Sequence, residues 1–527
     1  MSGERVYLYD STLRDGAQTQ GVDFTAADKV AIATELDRLG IDYVEGGWPG
    51  ANATDDQFFA NPPRLRHARL SAFGMTRRSG RSADNDPGFQ ALLTTAAKVV
   101  TLVGKTWDHQ VKVALGVELD ENLRMVGDSI KVALDKVDEV MFDAEHFFDG
   151  YKANPEYALS CVEAAYKAGA RWVVLCDTNG GTLPHEIHEI VTAVTARVPG
   201  DHLGIHCHND TENAVANSLT AVRAGVRQIQ GTLNGLGERC GNANLVSLIP
   251  TLMLKMGMQT GVDADGLRHL KTASHMLDER LNRAPNRHAP YVGASAFAHK
   301  GGLHASAVAK DPSCYEHIDP ETVGNMRRVV VSDQSGRSNI LARLAEAGVV
   351  VDPADERVNA LLAQVKEQEA NGLTFDGADA SFELFARRFL GGVPEFFNVH
   401  SFRVIDERRY NARGELAIVS EATARVLVDG RYFMEAGEGH GPVNALDAAL
   451  RKVLVPAFPA LERLALVDYK VRIMAPERGT AAVTRVMIES ADTETGARWT
   501  TVGISEDIID ASFNALHDSI VHFLMKA

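Results

Sequence analysis

The most constraining feature of this sequence is an alternation of strand-like and helix-like segments through its first half. Short runs rich in β-branched and aromatic residues occur at 6–10, 43–48, 69–75, 99–105, 139–147, 172–178, 202–209 and 228–235. Segments with apolar residues at helical spacing separate them, and several end at a glycine suited to a left-handed helix terminus. Eight strand–helix units in about 260 residues are typical of a closed (β/α)8 barrel. An open doubly wound sheet is the alternative, but no G-x-G-x-x-G follows the first strand, so the pattern favours the barrel.

The sequence pattern changes twice after the barrel segment, which predicts three domains. Residues 263–394 are mainly helical in pattern, with loops rich in Gly, Pro and Asn. Residues 395–527 twice run through strands, a glycine-containing turn and an amphipathic helix, which indicates a duplicated unit. We therefore expect an α/β chain with a TIM barrel over 1–262, helical linker subdomains over 263–394 and an α+β regulatory or dimerisation domain over 395–527.

Composition excludes several classes of protein. The chain has 54 Lys and Arg against 70 Asp and Glu, a formal net charge of −16, which argues against a general nucleic-acid binder. No stretch reaches the roughly 18 uninterrupted apolar residues that a membrane span needs. The five cysteines are scattered with no C-x-x-C pair, and the N-terminal residues do not resemble a targeting peptide. We expect a cytoplasmic protein with no nucleic-acid or membrane partner.

Polar and aromatic residues stand where the predicted strands end. In a barrel, the functional groups gather at these carboxyl ends. In chain order the strand ends carry Arg14 and Asp15, Trp48, Phe73, Lys105, Glu145, Thr178, His206 with His208, and Asn234. Most of these residues are too polar for a packed barrel interior, so the pattern points to a site.

His206 and His208 are the sharpest indication of metal chemistry. Residues two apart on a strand face the same side, so both imidazoles can point at one ion while Cys207 faces the helices. Asp15, at the end of another strand, would complete a facial three-ligand set that leaves positions open for substrate and water. The alternative is a pair of hydrogen-bonding histidines at a strand end.

Three further strand-end residues each have two interpretations. Arg14 can present a planar cation to a carboxylate or enolate oxygen, or form a salt bridge in the barrel mouth. Thr178 can donate a hydrogen bond to a substrate carboxylate, or satisfy a backbone group. Glu145 can transfer a proton or support such a group, or form a structural ion pair with Arg14.

At this point the motifs resemble a known family. The segments LRDGAQ at 13–18 followed by Lys29, LGIHCHND at 203–210 and NGLGERCGNAN at 234–244 resemble the 2-isopropylmalate synthase, homocitrate synthase and citramalate synthase family of metal-dependent barrel enzymes. The resemblance extends to FAHKGGLHASAV in the linker and to the C-terminal domain. GGWPGANATD at 46–55 and MFDAEHFFDGYK at 141–152 look most like the citramalate synthases of this family.

The resemblance implies a set of site residues. Asp15, His206, His208 and Asn242 would hold a divalent ion (Mn, Mg, Zn or Co), and Arg14 and Thr178 would bind the 2-oxo acid. Glu145 matches an active-site acid, while His304 and Tyr315 match a histidine and a tyrosine that the linker supplies to the neighbouring subunit's barrel, which implies a homodimer. Trp48 and Phe73 are candidates to close a small substrate pocket, although either ring can equally be packing. One departure is visible, since Glu212 and Asn213 stand where many relatives carry a small residue.

The implied reaction condenses acetyl-CoA with pyruvate and hydrolyses the thioester, with His304 as the expected base and Glu145 as the competing choice. The resemblance also implies feedback inhibition, with isoleucine as the expected effector at the C-terminal domain. Alternatives are a synthase for a larger 2-oxo acid (2-isopropylmalate or homocitrate synthase), a metal-dependent hydroxy-acyl lyase, and an inactive amino-acid-sensing dimer.

Overall fold

A computed structural model describes residues 4–331, 336–352, 354–410, 413–474 and 482–527. The described chain forms two compact units. The first unit comprises the chain up to Phe297 together with the segment His317–Arg327. The second comprises Ala298–Glu316 and the chain from Arg328 onward. The predicted domain boundaries after residues 262 and 394 stay predictions.

Eight parallel strands form a closed barrel in the first unit, as the sequence pattern predicts. The strands are β1 Tyr7–Asp10, β2 Tyr43–Glu45, β3 Arg69–Met75, β4 Val99–Lys105, β5 Glu139–Glu145, β6 Trp172–Asp177, β7 Leu203–Cys207 and β8 Gln228–Gly231. Each pairs with the next along the chain, and β8 pairs with β1 in parallel to close the cylinder. The predicted fold class is therefore confirmed.

Helices follow the strands and pack on the outside of the barrel. They are α1 Ala26–Leu39, α2 Ala53–Ala60, α3 Pro87–Leu93, α4 Asp108–Gln110, α5 Leu119–Leu134, α6 Phe147–Ala153, α7 Pro155–Lys167, α8 Pro184–Thr195, α9 Ala214–Arg223, α10 Leu245–Leu254 and α11 Ala264–Arg280. Helix α1 shows why they start and stop. Thr25 and Asp28 form a reciprocal capping box at its start, and Gly40 ends it at a φ of 96°, where a side chain would be strained.

Successive side chains of each strand point alternately out of the barrel and into it, so the residues that pack against the helices differ from those that face the interior. Outward residues such as Val140, Phe142 and Ala144 of β5 join the large core between strands and helices. Inward residues change character along the barrel axis. Those near the amino ends are mostly apolar or aromatic and form their own cluster, which includes Tyr9, Tyr43, Val99, Met141, Trp172 and Val174. Those near the carboxyl ends are polar and buried: Glu45, Ser71, Thr101, Asp143, His206 and Gln230. The carboxyl end is thus built for a site.

The second unit contains short linker elements and a repeated α+β arrangement. Its elements are β9 Ala298–His299, α12 Gly302–Lys310, β10 Arg328–Val329, α13 Arg337–Glu346, α14 Arg357–Ala370, α15 Asp379–Leu390, β11 Asn398–Tyr410, β12 Leu416–Val428, β13 Arg431–Gly439, α16 Pro442–Ala457, β14 Leu464–Ile473, β15 Thr484–Asp492, β16 Arg498–Ser505 and α17 Ile508–Lys526. Two three-stranded antiparallel sheets, β11–β13 and β14–β16, each lead into one helix, α16 or α17. This is the duplicated unit that the sequence predicts.

Charged side chains join helix α15 to helix α17. The Glu383 carboxylate, 6% exposed, accepts hydrogen bonds from His522 Nε2 at 3.2 Å and Lys526 Nζ at 2.9 Å. Arg387 Nε donates to the same carboxylate at 2.8 Å, and Arg388 pairs with Asp518 at 2.6 Å. Burial opposes ionisation of Glu383, but the hydrogen bonds from His522, Lys526 and Arg387 outweigh that effect and lower its pKa to about 2. Glu383 therefore stays ionised at neutral pH and ties the linker helix to the C-terminal helix.

Among the described residues, no helix is long and apolar enough to cross a bilayer.

Candidate metal centre and active site

Three buried ligand-type side chains converge at the barrel mouth. His206 is on β7, His208 directly follows that strand, and Asp15 lies in the turn after β1. Asp15 Oδ2 lies 3.2 Å from His206 Nε2 and 3.8 Å from His208 Nε2. The three ligand atoms all lie within 4.8 Å of one another, and each residue is at most 7% exposed. Cys207 points the other way into the core between strands and helices, as the alternation predicts.

The electrostatics of this cluster favour a bound cation. Burial opposes the charge on Asp15, yet Arg14 and the two imidazoles outweigh it and hold the pKa of Asp15 well below its usual range. Burial also opposes protonation of His206, but its hydrogen bond to Asp15 and the charge of that carboxylate raise the pKa of His206. Burial and the neighbouring His206 lower the pKa of His208 to about 4. A carboxylate and two imidazole lone pairs at these distances repel one another unless a proton or a metal ion lies between them.

Asn242 places a fourth ligand-type atom beside this cluster. Asn242 and His208 are partners in an antiparallel bridge, so their side chains share a face. Asn242 is 2% exposed, and its Nδ2 donates to Leu236 O at 3.1 Å. Its Oδ1 is buried with no hydrogen-bond partner among the described residues. A buried carbonyl oxygen without a donor fits a metal ligand.

Arg14 is held rigidly beside the cluster. Its Nε donates to Glu45 Oε2 at 2.8 Å, its Nη1 lies 3.7 Å from Asp15 Oδ2, and its Cζ lies 3.9 Å from the centre of the Phe73 ring. Burial opposes the charge, but Glu45 and Asp15 outweigh it and raise the pKa of Arg14 further. The guanidinium is therefore a fixed positive group with Nη donors left for a ligand.

Glu45 is fully buried and forms the base of this arrangement. Its carboxylate accepts hydrogen bonds from Tyr9 Oη at 2.7 Å and from the Ser11 hydroxyl, in addition to Arg14. Thr101 Oγ1 lies 2.8 Å from the same Tyr9 hydroxyl. The strands β1, β2 and β4 thus fix the arginine through one carboxylate.

Glu145 and Thr178 lie at the ends of neighbouring strands. Glu145 forms an ion pair with Lys105, so the ion pair with Arg14 that the sequence allowed is wrong; Arg14 pairs with Glu45 instead. The Thr178 hydroxyl accepts a hydrogen bond from the His146 backbone N–H at 2.9 Å, which leaves its own proton free to donate.

Asn234, the last of the strand-end residues, does not face the cluster. Its Nδ2 donates to Ser274 O at 2.9 Å and to Asp278 Oδ1 at 3.1 Å, both on helix α11. Asn234 has a φ of 58°, a conformation that asparagine tolerates better than most residues, so it is a structural turn residue.

Trp48 and Phe73 form one aromatic wall next to Arg14. Their ring centres lie 5.5 Å apart at 79°, and the Trp48 backbone N–H donates to Asp55 Oδ2 at 2.8 Å. Asp55 in turn forms a buried ion pair with Lys29, the lysine of the first motif, whose Nζ also donates to Gly46 O at 3.1 Å. The motif lysine therefore anchors the loop that carries Trp48.

His304 and Tyr315 belong to the second unit and lie together in it. Their rings stack with centres 4.1 Å apart at an angle of 26°, and both side chains are exposed. Nearby, His299 Nε2 and Glu316 Oε1 form a buried contact of 3.0 Å that ties the two ends of this segment.

Three buried residues of the site escaped the sequence interpretation: Glu45, Asp143 and Gln230. Each lies on the inward face of a strand near its carboxyl end. Asp143 precedes Glu145 by two positions, and this spacing alone would have placed both carboxylates in the barrel.

Comparison with known proteins agrees with this architecture. The HMGL-like family model matches residues 5–273, the homocitrate synthase post-HMGL domain-like model matches 291–372, and the LeuA allosteric (dimerisation) domain matches 376–524. The (R)-citramalate synthase of Aquifex aeolicus is 50% identical over 525 residues, 99% of this chain and 98% of the relative. That of Geobacter sulfurreducens is 51% identical, with the same coverage. A probable 2-isopropylmalate synthase of Methanopyrus kandleri is 33% identical over 97% of each chain.

The chain belongs to the 2-isopropylmalate synthase and homocitrate synthase family. The full-length match places the complete domain order of this family in the chain, from the barrel to the allosteric domain. Within a member of this family, the cluster at the barrel mouth is the candidate metal centre.

We expect Mn²⁺ to bind the purified protein with an affinity that falls as the pH is lowered. Asp15 is ionised and His208 is neutral near pH 7, whereas the proton that Asp15 stabilises on His206 must leave before Nε2 can bind a cation. Titration calorimetry across pH measures this competition. Asp15→Asn should weaken binding at every pH by more than the ~10–100-fold that loss of an outer partner costs. Asp201→Asn, which alters an exposed carboxylate just before β7, is the matched control. A pH-independent affinity, or equal losses in the two variants, would contradict the assignment.

Proposed function

We propose that this protein is an (R)-citramalate synthase that condenses acetyl-CoA with pyruvate and hydrolyses the thioester to give citramalate and CoA. The observation that carries the proposal is the similarity to curated (R)-citramalate synthases. Five of them are 43–51% identical to this chain over 98–99% of its length. The buried cluster at the barrel mouth supplies the chemistry that such a reaction needs.

We assign Asp15, His206, His208 and Asn242 as the residues that hold a divalent metal ion. The buried side chains of Asp15, Glu45 and Asp143 lie around the Arg14 guanidinium and raise its pKa. The ionised carboxylate of Asp15 and the buried Oδ1 of Asn242, which has no hydrogen-bond partner among the described residues, fit a bound cation. When bound there, such an ion polarises the keto group of the acceptor and stabilises the oxygen charge that forms on it. The mixed nitrogen and oxygen ligands suit Mn, Mg, Zn and Co alike.

Arg14 and Thr178 are the residues we assign to pyruvate. The Arg14 guanidinium is fixed by Glu45 and Phe73, so its remaining donors can hydrogen-bond a carboxylate or a developing enolate oxygen without first being ordered. The Thr178 hydroxyl has its proton available for the substrate carboxylate. We assign the edge-to-face pair of Trp48 and Phe73 to the wall around the methyl group, the only substituent on the keto carbon of pyruvate besides its carboxylate.

We assign His304 as the base that removes a proton from the acetyl methyl group of acetyl-CoA. Imidazole exchanges a proton near neutral pH, and the stacked Tyr315 ring fixes its plane. Glu145 is the weaker candidate, because its carboxylate is already engaged by Lys105. The carbanion formed at the methyl carbon then attacks the keto carbon of pyruvate, and water cleaves the thioester to release CoA.

We expect free thiol to be released from acetyl-CoA when pyruvate is the acceptor. Larger acceptors such as 2-oxoisovalerate and 2-oxoglutarate should react at least tenfold more slowly, because the proposed aromatic wall has to give way to their larger substituents. A chelator should abolish release and added Mn²⁺ should restore it. A thiol-reagent assay over this panel measures both effects. Preference for 2-oxoisovalerate would identify a 2-isopropylmalate synthase instead, and no release with any acceptor would refute the synthase proposal.

We further propose that the enzyme is a homodimer in which each chain supplies His304 and Tyr315 to its partner's barrel. The matched LeuA allosteric (dimerisation) domain supports the dimer. So do several large apolar side chains on strands β11–β13 that are more than half exposed, namely Ile405, Ile418, Tyr432 and Met434.

Mixing two inactive variants should restore activity if the site is shared in this way. Asp15→Asn lacks a metal ligand and His304→Ala lacks the base, so each alone should turn over at least 100-fold more slowly. After co-expression, mixed dimers contain one complete site, and random pairing predicts about a quarter of the wild-type rate. Thiol release with co-purified chains measures it. Activity that stays at the background of the single variants would show that His304 does not act across the interface.

We propose isoleucine as the effector, bound in a cavity of about 510 Å³ within the second unit. The cavity has apolar walls that include Phe375, Phe385, Phe397 and Phe513, and it also carries Arg388 and Asp518. Arg388 and Asp518 pair with each other at 2.6 Å, and a bound amino acid would exchange that pair for contacts of Arg388 with its carboxylate and of Asp518 with its ammonium group, while the apolar walls hold its side chain.

Isoleucine should raise the Tm of the wild-type protein and slow thiol release. Arg388→Met removes the cavity guanidinium and should abolish the shift in Tm, as differential scanning fluorimetry would show. Arg387→Met is the matched control, because Arg387 lies on the same helix but binds Glu383 and does not line the cavity. A shift that survives in Arg388→Met, or that is absent from the wild type, would remove this assignment.

The cytoplasmic location expected from the cysteine content stays a prediction.

A further inference from the structure

Two buried side chains behind the candidate metal centre connect three strands of the barrel. Gln230 is on β8 and Asp143 is on β5, and both lie on the inward face below the mouth. Gln230 is fully buried and Asp143 is 3% exposed. The His206 Nδ1 and Gln230 Oε1 atoms lie 2.9 Å apart, and Gln230 Nε2 donates to Asp143 Oδ1 at 3.0 Å.

The direction of these hydrogen bonds decides which nitrogen of His206 carries the proton. The amide NH2 of Gln230 donates to Asp143, whose ionised carboxylate can only accept, and this turns the amide oxygen towards His206. The reverse orientation would place two oxygens in contact. An amide oxygen accepts but cannot donate, so His206 must present Nδ1–H to it. Once His206 is neutral, the lone pair is therefore on Nε2, the atom that faces Asp15 at 3.2 Å.

We infer that Asp143 and Gln230 are positioning residues that fix the tautomer and ring orientation of His206, so that Nε2 is ready to bind the metal. His208 lacks such a partner, since its Nδ1 is buried without a hydrogen-bond partner among the described residues. The two histidines of the motif therefore differ, with His206 the pre-oriented ligand and His208 the one free to adjust. The inference rests on the proposed metal site and adds the two residues that orient one of its ligands, His206.

The barrel offers a matched control for this inference two residues away. Gln228 lies on the same strand and face, is equally buried, and its Nε2 contacts Met141 Sδ at 3.3 Å rather than a metal-ligand candidate. Gln230→Met and Gln228→Met therefore make the same chemical change at two fully buried positions of one strand. Only Gln230→Met removes the hydrogen-bond acceptor of His206.

Mn²⁺ affinity, measured by calorimetry on the purified full-length protein, tests the inference. Gln230→Met should weaken Mn²⁺ binding by about 10–100-fold, as loss of a hydrogen-bond partner of a ligating histidine typically does, while Gln228→Met should change it less than about threefold. The double variant Asp143→Asn/Gln230→Glu exchanges the positions of the amide and the carboxylate and keeps an acceptor at His206. It should bind Mn²⁺ at least as tightly as the wild type, which a purely structural contribution of Gln230 would not predict.

A spectroscopic measurement keeps the inference testable if Gln230→Met folds poorly. Pulsed electron paramagnetic resonance of bound Cu²⁺ detects the remote nitrogen of a coordinated imidazole. Its coupling should change between the wild type and Asp143→Asn/Gln230→Glu, and stay unchanged in Gln228→Met.

Equal Mn²⁺ affinities in Gln230→Met and Gln228→Met, or a double variant that binds as weakly as Gln230→Met, would overturn the inference. If Asp15→Asn also leaves Mn²⁺ affinity unchanged, the metal site itself fails. If only Asp15→Asn weakens binding, the site stands and the positioning by Gln230 and Asp143 is wrong.

Discussion

Everything at the barrel mouth depends on the close approach of one carboxylate and two imidazole nitrogens in a region shielded from water. Asp15 Oδ2 lies within 4 Å of both histidine Nε2 atoms, and all three residues are almost completely buried. Lone pairs and charge in such a place are unfavourable without a compensating positive group. Arg14 provides part of that compensation for Asp15, and we propose that a bound cation provides the rest.

The TIM barrel can accommodate this polar cluster because successive residues of each strand face opposite sides. Outward side chains pack against the helices and stabilise the fold, while inward side chains near the carboxyl ends are free to be polar. An aromatic and aliphatic cluster around Trp172 and Met141 fills the opposite end of the cylinder. The polar residues therefore pack on a well-filled apolar layer. Glu45 and Asp143 can be buried because each accepts a hydrogen bond from a neighbouring strand.

Much of this could be predicted from the sequence, for reasons that particular residues make clear. Periodicity identifies the eight strands and the alternation of His206 and His208, because both depend only on local geometry. Asn234 looked like a site residue because it follows a strand, but a contact with helix α11, distant in sequence, turns it away. The ion-pair partner of Glu145 could not be predicted either, because spacing in the sequence does not show whether Lys105 or Arg14 lies nearer to it. Gln230 passed unnoticed because an amide in a strand carries no signal of its chemistry until its neighbours are known.

The stack of Trp48, Phe73 and Arg14 has a consequence for how specificity can evolve in this enzyme. The Phe73 ring, which we propose limits the acceptor's size, also supports the guanidinium, with Arg14 Cζ 3.9 Å from its centre and Trp48 packed on its edge. Replacing Phe73 with a smaller residue would therefore loosen the guanidinium as well, so we expect a broader acceptor range to be accompanied by a slower reaction. A relative that evolves to use bulkier acceptors would need another side chain to pack against Arg14 when Phe73 is replaced by a smaller residue.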